Sequence, residues 1–515
     1  NMYQYCYGGI NRVNYVIDGV EKMLEKETNP DTRASLECII GEAKLMRSLV
    51  YFKLISLWGD VPYIDQRIYS DAEVATLART PIVQIVPKLL EDLEYAFQKL
   101  PVKADVQGRT AKPAALALRG KIQLYWACWN HFGWPELDTF TPSGEAAGEA
   151  YRAAAADFRK VIDDFGLTLF RNGEPGECDG LGKAEKLPNY YHLFLPAANG
   201  DPEFILAFNH GSTGTGQGDE LMRDFAGRTI EYSQCWVSPR FELANHYQSL
   251  TTGDFCDPII GMALSSPDAR TSPNSALNPQ TYANRDYLLK STLLWDYEKC
   301  MAIESKTEMG YHLFIYSSWK IPYPDIDGTI YTTYDTDGCN SGYVFRKFVR
   351  NYSNGQGRSD GNFNWPVIRL ADVYLMYAEA VNAANITAEK DHAVEMVNRV
   401  RRRASLPDLA TDKTATQETF FAAIEQERIV ELIGEGHRSF DLRRWRAFET
   451  RFVPPNDPNG YIFRNVFGAE VSAGVESSKW FQNANPLAYE KCYILRIPEA
   501  ERDRNPNLTQ NKPFR

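Results

Sequence analysis

The chain has 515 residues, 44% of them hydrophobic and 24% charged, with a formal net charge of -11. That is the composition of a globular protein with room for an extensive core, and its acidity excludes the basic footprint of nucleic-acid binding and attraction to anionic lipid. No run is long and apolar enough to span a membrane. The nine cysteines form no CxxC or Cys/His cluster with zinc spacing, so neither disulfides nor zinc is expected to hold the fold.

The chain opens at Asn1-Met2-Tyr3 inside a helix-like pattern and shows no signal peptide, which reads as a sequence lacking its true N-terminus. Residues 1–170 read as helices joined by short loops. Leu36, Ile39, Ala43, Met46, Val50 and Leu57 recur at three- and four-residue steps, predicting a helix that stops at Trp58-Gly59-Asp60-Val61-Pro62. Further helices are predicted over residues 82–99, 110–130 and 150–165, with Ala111, Ala114, Ala115 and Ala117 allowing a neighbour to approach closely. Paired helices with small contact residues suggest a tetratricopeptide-like stack, although the strict 34-residue signature is absent.

Residues 171–360 are dominated by Gly, Pro, Asn, Asp, Ser and Tyr, and read as a large irregular, loop-rich ligand-binding region. Gly211 to Gly218 has phosphate-loop glycine spacing, but no Lys-Ser/Thr follows, so nucleotide binding is not expected. Residues 361–515 return to helix and end in a mixed tail. Val367, Leu370, Tyr374, Tyr377 and Val381 form one apolar stripe, and helices are predicted from about Lys390 to Arg403 and from Gln417 to Gly434.

Glu427, Glu431 and Glu435 share a helix face at i, i+4 spacing. Paired carboxylates can hydrolyse glycosides, but Arg428, Arg438, Arg443 and Arg444 are interleaved with them, and an adjacent Arg makes a carboxyl a poor general acid. A structural ion-pair network is the expectation, with Arg369, Asp372 and Glu379 in similar scaffold contacts. None of the seven His forms an HExxH or other ligand pair, and no nucleophile elbow is present. No catalytic residue is assigned.

Five stretches carry a family resemblance. They are Arg47-Ser48-Leu49-Val50-Tyr51-Phe52-Lys53-Leu54 running into Trp58-Gly59-Asp60-Val61-Pro62; Gly108-Arg109-Thr110 with Ala114 and Ala115; Asn284-Arg285-Asp286; Trp365 to Ala380, continuing into Val397-Asn398-Arg399-Val400-Arg401; and Glu427 to Leu432 with Glu435-Gly436-His437-Arg438-Ser439-Phe440-Asp441-Leu442-Arg443-Arg444-Trp445. In this order they resemble the SusD/RagB family. The resemblance implies an all-α, tetratricopeptide-like superhelical scaffold with the loop-rich region packed on it. It implies a non-catalytic, lipid-anchored protein on the outer face of the outer membrane, as in Bacteroidota, with a SusC-like TonB-dependent transporter as partner. The implied ligand is an oligosaccharide or polysaccharide. Capture of a peptide or glycopeptide, as in RagB-like relatives, is the alternative, and glycoside hydrolysis a weaker one. The family's anchoring Cys has no matching position: Cys6 follows Tyr3-Gln4-Tyr5, which lacks the small residues of a lipoprotein cleavage site. Membrane contact is therefore expected only through an anchor outside this sequence.

Aromatic residues make up 13% of the chain. Trp236, Tyr282, Tyr287, Trp295, Tyr311, Tyr316, Trp319 and Tyr331 crowd the irregular region together with Tyr297, Tyr323 and Tyr334. A pyranose presents a face of C–H groups that a flat ring covers by dispersion and burial. Its hydroxyls then need partners, since each left unpaired costs roughly 1–3 kcal/mol; Asn284, Arg285 and Asp286 stand closest in sequence, with Asp325, Asp327 and Asn340 further on. Two to four rings are expected to touch ligand. Trp129 and Trp134 form a second candidate patch, whereas Trp58, Trp365 and Trp445 are expected to pack. No cofactor is expected. A structural calcium would need one of two acidic turns, Asp325-Ile326-Asp327-Gly328 or Asp335-Thr336-Asp337-Gly338, but both lack the ligand spacing and the distal Glu of a calcium loop.

Overall fold

The computed structural model describes the chain apart from residues 212–213, 228–232, 304–307, 317–320, 335–338, 340, 353–354, 356, 452–463 and 470–485. The first third consists of α1 (Met2–Leu24), α2 (Pro30–Trp58), α3 (Ile82–Lys99), α4 (Lys112–Phe132) and α5 (Gly144–Asp164), each packed on the next. Helix α2 shows how the local sequence sets its ends. The Asn29 side chain accepts the Asp31 and Thr32 N–H groups, and Pro30, which lacks an N–H, sits in the first turn. Gly59 ends the helix at φ 67, where a Cβ would lie 2.9 Å from the Leu137 side chain, so the residue must be glycine.

The middle third departs from the sequence expectation. It contains β1 (Phe204–Phe208), the short helix α6 (Tyr287–Thr292), β2 (Lys299–Ile303), β3 (Met309–Phe314), β4 (Pro322–Pro324), β5 (Ile330–Tyr334) and β6 (Trp365–Arg369). Strands β2, β3, β5 and β4 lie in that order in one sheet; β3 and β5 run parallel and the outer pairs antiparallel. These strands are three to six residues long and interrupted by Pro and Gly, so no alternating pattern lasts long enough to signal them. Strand β1 pairs antiparallel with β6, which leads directly into α7 (Leu370–Ala383). Helices α8 (Lys390–Arg403) and α9 (Gln417–Glu431) pack on α7, and the short α10 (Arg438–Arg444) follows. The protein is mainly helical, with the small sheet as an addition to the helical frame.

Two large apolar cores form among the described residues, beside a small cluster of Val20, Leu36 and Ile40. One lies among the helices of the first third, α7, α8 and the tail residues Ile494, Ile497 and Leu508. The other fills the middle third and takes Ala404, Leu406 and Val430 from the C-terminal elements. Trp129 and Trp134 belong to the first core, with ring centroids 5.0 Å apart, so they are packing residues and not the surface patch expected from sequence. Trp58 and Trp445 are buried in the same core, and Trp365 packs 5.5 Å from Phe348 in the second.

Buried charge joins the two parts. Arg369 contacts Glu203 at 2.9 Å, Glu431 at 2.6 Å and Glu435 at 2.7 Å; Arg403 shares Glu203 and Glu431; and Lys347 reaches Glu435 at 2.8 Å. Burial alone would raise the Glu435 carboxyl, but Arg369 and Lys347 hold it down at about 2. A second network runs from Lys121 through Asp372, Arg428 and Asp441 to Arg444, which also contacts Glu379. The carboxylates of the charged series are thus held by guanidinium and ammonium groups inside the protein.

Candidate functional site

A cavity of about 520 Å³ opens in the middle third, within the size range of small-molecule sites. Three parts of the chain build it: the loop from Cys178 to Leu181, the segment from Gln280 to Lys290, and Trp295, with Leu250 and Ile326 at its edge. Tyr282 and Trp295, each 2% exposed, form its inner wall; their rings stack at 4.9 Å and 22°. The Tyr282 hydroxyl donates to the Ala276 carbonyl at 2.9 Å and lies 2.7 Å from the Tyr343 hydroxyl.

The polar residues of this segment serve mainly as struts. Arg285 donates to the carbonyls of Ala244 at 2.9 Å, Tyr247 at 3.0 Å and Asp257 at 3.1 Å, and so ties three loop positions to one side chain. Asp286 caps α6 by accepting the Leu288 and Leu289 N–H groups, and its second oxygen accepts the Gln248 N–H at 3.0 Å. Burial pushes the Asp286 carboxyl up to about 7, but all three bonds are to backbone and the side chain is enclosed. Lys290 donates to the Gly180 carbonyl at 2.6 Å and pairs with buried Glu298 at 3.2 Å; Glu298 in turn accepts the Gly182 N–H at 2.7 Å. Together these two residues fix the 178–182 loop over the cavity. Burial lowers the Lys290 ammonium below its ordinary range.

The exposed surface lies at the rim. Tyr287 is half-buried, Ala283 and Asn284 are exposed, and Ile326 is 66% exposed at the tip of a turn. In that turn Asp325 accepts the Asp327 and Thr329 N–H groups and pairs with Lys299 at 3.0 Å, an arrangement of an ordinary turn. The other acidic turn, at Asp335, lies outside the described residues. Among the described residues no cluster of three His, Cys, Asp or Glu side chains could hold a metal ion. Beyond Ile326, half-buried Tyr297 packs 6.1 Å from Tyr323 and lies under Arg270 at 5.0 Å. Tyr297 has φ 64, a left-handed conformation costing a non-glycine residue of order 1–3 kcal/mol and held only where surrounding contacts demand it.

Of the residues singled out from sequence, Tyr282, Arg285, Asp286, Tyr287 and Trp295 line this one cavity, and Asn284 stands beside it, bonded to Ser249 at 3.0 Å. Only Tyr287 among the five combines a ring with substantial exposure. Tyr282 and Trp295 are not open platforms, because stacking on each other and on the second core buries them. Arg285 and Asp286 are not free to meet hydroxyls, because backbone groups occupy them. Tyr316 is also buried, 5.4 Å from Phe314 and 5.7 Å from Phe467, far from any role as a surface ring. Tyr311 and Tyr331 are half-buried on β3 and β5; Tyr311 lines a separate cavity of about 210 Å³, and Tyr331 lies 4.7 Å from the Lys299 ammonium. Trp236 is 74% exposed beside Arg223 and is not among the cavity residues. Trp319 and Asn340 lie outside the described residues. The cavity residues that sequence reasoning missed include Asp179, Leu181, Leu250, Gln280, Lys290 and Ile326; an isoleucine inside an acidic turn was the one local signal.

Residues 202–514 match the model of the SusD family, which spans more than half of the chain. The chain belongs to the SusD family. Residues 1–124 also match a model described as starch-binding, associating with the outer membrane. A SusD-like protein of Formosa agariphila, P25, is 24% identical over 463 residues, covering 87% of this chain and 72% of that protein. Among solved structures, a SusD-like protein from Bacteroides fragilis superposes with a TM-score of 0.70 at 19% identity, covering 99% of this chain and 85% of that one. A laminarin-binding SusD-like protein superposes with a TM-score of 0.56 at 20% identity, covering 99% and 85%. These SusD-family likenesses establish the fold and not the ligand.

Proposed function

We propose that this SusD-family chain captures an oligosaccharide or polysaccharide at the outer face of the outer membrane, without cleaving it, for uptake through a SusC-like TonB-dependent transporter. The observation that carries the reading is the cleft itself. The half-exposed Tyr287 ring and the apolar Leu181, Leu250 and Ile326 side chains, held in shape by the buried Tyr282–Trp295 stack behind them, give a sugar ring surfaces to lie on. Gln280 and Asp179 supply polar partners for hydroxyls. Relatives described as starch-binding and laminarin-binding support a glucan as the first ligand to try.

A hydrolytic role is disfavoured by the carboxylates. Asp286 is occupied by three backbone N–H groups, Asp179 accepts the Glu185 and Lys186 N–H groups, and Glu431 and Glu435 are locked to Arg369. Hydrolysis needs one carboxyl free to donate a proton and another free to attack or activate water. The test is titration of the full chain with labelled laminarin and starch oligosaccharides and with a peptide library, followed by chromatography of the sugars after long incubation. Saturable sugar binding with intact substrate supports the proposal. Binding confined to peptides, or release of shorter sugars, overturns it.

A further inference from the structure

Two cysteines far apart in sequence, Cys235 and Cys339, meet behind the Tyr282–Trp295 stack, and both carry thiols. Local bonds bring them together. Cys235 is 3% exposed, and its N–H donates to the Ala226 carbonyl at 3.1 Å. The next residue, Gly227, donates its N–H to the Tyr334 hydroxyl at 2.6 Å. On the other side of Cys235, the Pro239 carbonyl accepts the Ser341 hydroxyl at 2.5 Å. Cys235 is thus held between two points at which its segment is fastened to the residues on either side of Cys339. The Cys235 thiol donates to the Cys339 sulfur across the gap.

The surroundings of Cys339 suit a thiolate. Its Sγ is half-buried and lies 3.6 Å from the Ser341 hydroxyl, and the backbone N–H groups of Ser341 and Gly342 also point to it. Gly342 has φ 91, and a Cβ there would collide with Val466, so glycine is needed for this turn. Burial raises a thiol, and it pushes Cys128 and Cys178 up to about 11 and Cys300 up to about 12. At Cys339 burial acts in the same direction, but the donors from Cys235, Ser341 and Gly342 outweigh it and bring the thiol below its ordinary value. Cys235 has φ 47, a left-handed conformation of the kind that non-glycine residues keep at functional sites. The pair also touches the cleft wall. Cys339 Sγ contacts the Tyr343 carbonyl, and the Tyr343 hydroxyl lies 2.7 Å from that of Tyr282.

We propose that Cys235 and Cys339 are a redox-active dithiol that oxidises to a disulfide behind the cleft wall, with Cys339 as the attacking thiolate and Cys235 as the resolving thiol. The oxidant is itself a disulfide, RS–SR. Cys339 attacks one of its sulfurs, forming Cys339–S–SR and expelling the first RS group. Cys235 then attacks the Cys339 sulfur and expels the second. The two thiol protons end on two RSH, and two electrons pass to the oxidant. This chemistry does not rest on the glycan reading of the cleft, and the oxidising cell exterior of the proposed location favours the disulfide.

The test treats the reduced full chain with oxidised glutathione, once folded and once during refolding from urea, and reads thiol content and non-reducing peptide maps by mass spectrometry. Two of the nine thiols are expected to be lost, with one crosslinked peptide joining Cys235 to Cys339. The oxidised chain is expected to unfold at a higher urea concentration than the reduced chain, and dithiothreitol to reverse the shift. In Cys235→Ser, Cys339 is expected to stop at the mixed disulfide with glutathione; in Cys339→Ser, Cys235 is expected to stay a thiol. The reverse pattern overturns the assigned roles. All nine thiols retained in both samples, glutathione remaining on Cys339 of the wild type, a crosslink between another pair in place of this one, or a disulfide that lowers the unfolding midpoint each overturns the proposal.

Discussion

Tyr282 and Trp295 stack at 4.9 Å with their planes 22° apart, and this pair is both the inner wall of the cleft and part of the second core. A ring in that position supports the site by holding its shape. Replacing Trp295 or Tyr282 with Ala is expected to cost about 3–5 kcal/mol of stability, the range for removing a buried aromatic side chain. Urea unfolding monitored by circular dichroism checks this. Loss of sugar binding with full stability would contradict the supporting role.

Tyr287 is the opposite case, a half-exposed ring at the rim. Tyr287→Ala is expected to leave the unfolding midpoint nearly unchanged and to weaken oligosaccharide binding about tenfold, in line with roughly 1–1.5 kcal/mol for one aromatic contact. Calorimetric titration beside thermal unfolding separates the two effects. Unchanged affinity in the variant would remove Tyr287 from the site.

Lys290 holds the 178–182 loop through Gly180 and Glu298. Lys290→Met keeps the apolar stem and removes the ammonium. Amide hydrogen exchange over residues 178–182 is expected to speed up at least tenfold, and sugar affinity to fall with it. Exchange at the wild-type rate would show that Glu298 alone fixes the loop.

Asp286 makes stability depend on pH in a predictable direction. Its carboxyl is raised to about 7 by burial, so the folded state holds the proton more tightly than the unfolded chain. The stabilisation from this group is complete below the unfolded value of about 3.9 and is lost as pH rises toward 7. Asp286→Asn removes the titration. The difference in unfolding free energy between wild type and variant is therefore expected to shift against wild type from pH 4 to 7 and to level off above. Parallel pH profiles would contradict this.

Arg369 stands among Glu203, Glu431 and Glu435 with no solvent exposure. Arg369→Met leaves buried carboxylates short of a partner and is expected to destabilise the protein by about 3–5 kcal/mol. Glu435, held at about 2, contributes stability that is present above the unfolded carboxyl value and lost as pH falls toward 2. Acid unfolding of the variant is expected to begin at higher pH than in wild type.

The sequence by itself determined the helical frame. Periodic apolar residues, Asn29 and Pro30 at one end of α2 and Gly59 at the other are local signals, because a helix closes its hydrogen bonds within four residues. The ordered motifs pointed to the family, and three of their residues, Arg369, Glu431 and Glu435, meet in one buried network. Which aromatic residues face outward was decided by the tertiary structure alone. Tyr282 and Tyr287 are five residues apart in the same loop-like sequence, yet one is enclosed and the other lies at the rim. Their fates depend on Trp295, Tyr343 and the 178–182 loop, the last about a hundred residues away, and burial by distant partners leaves no mark on the neighbouring sequence.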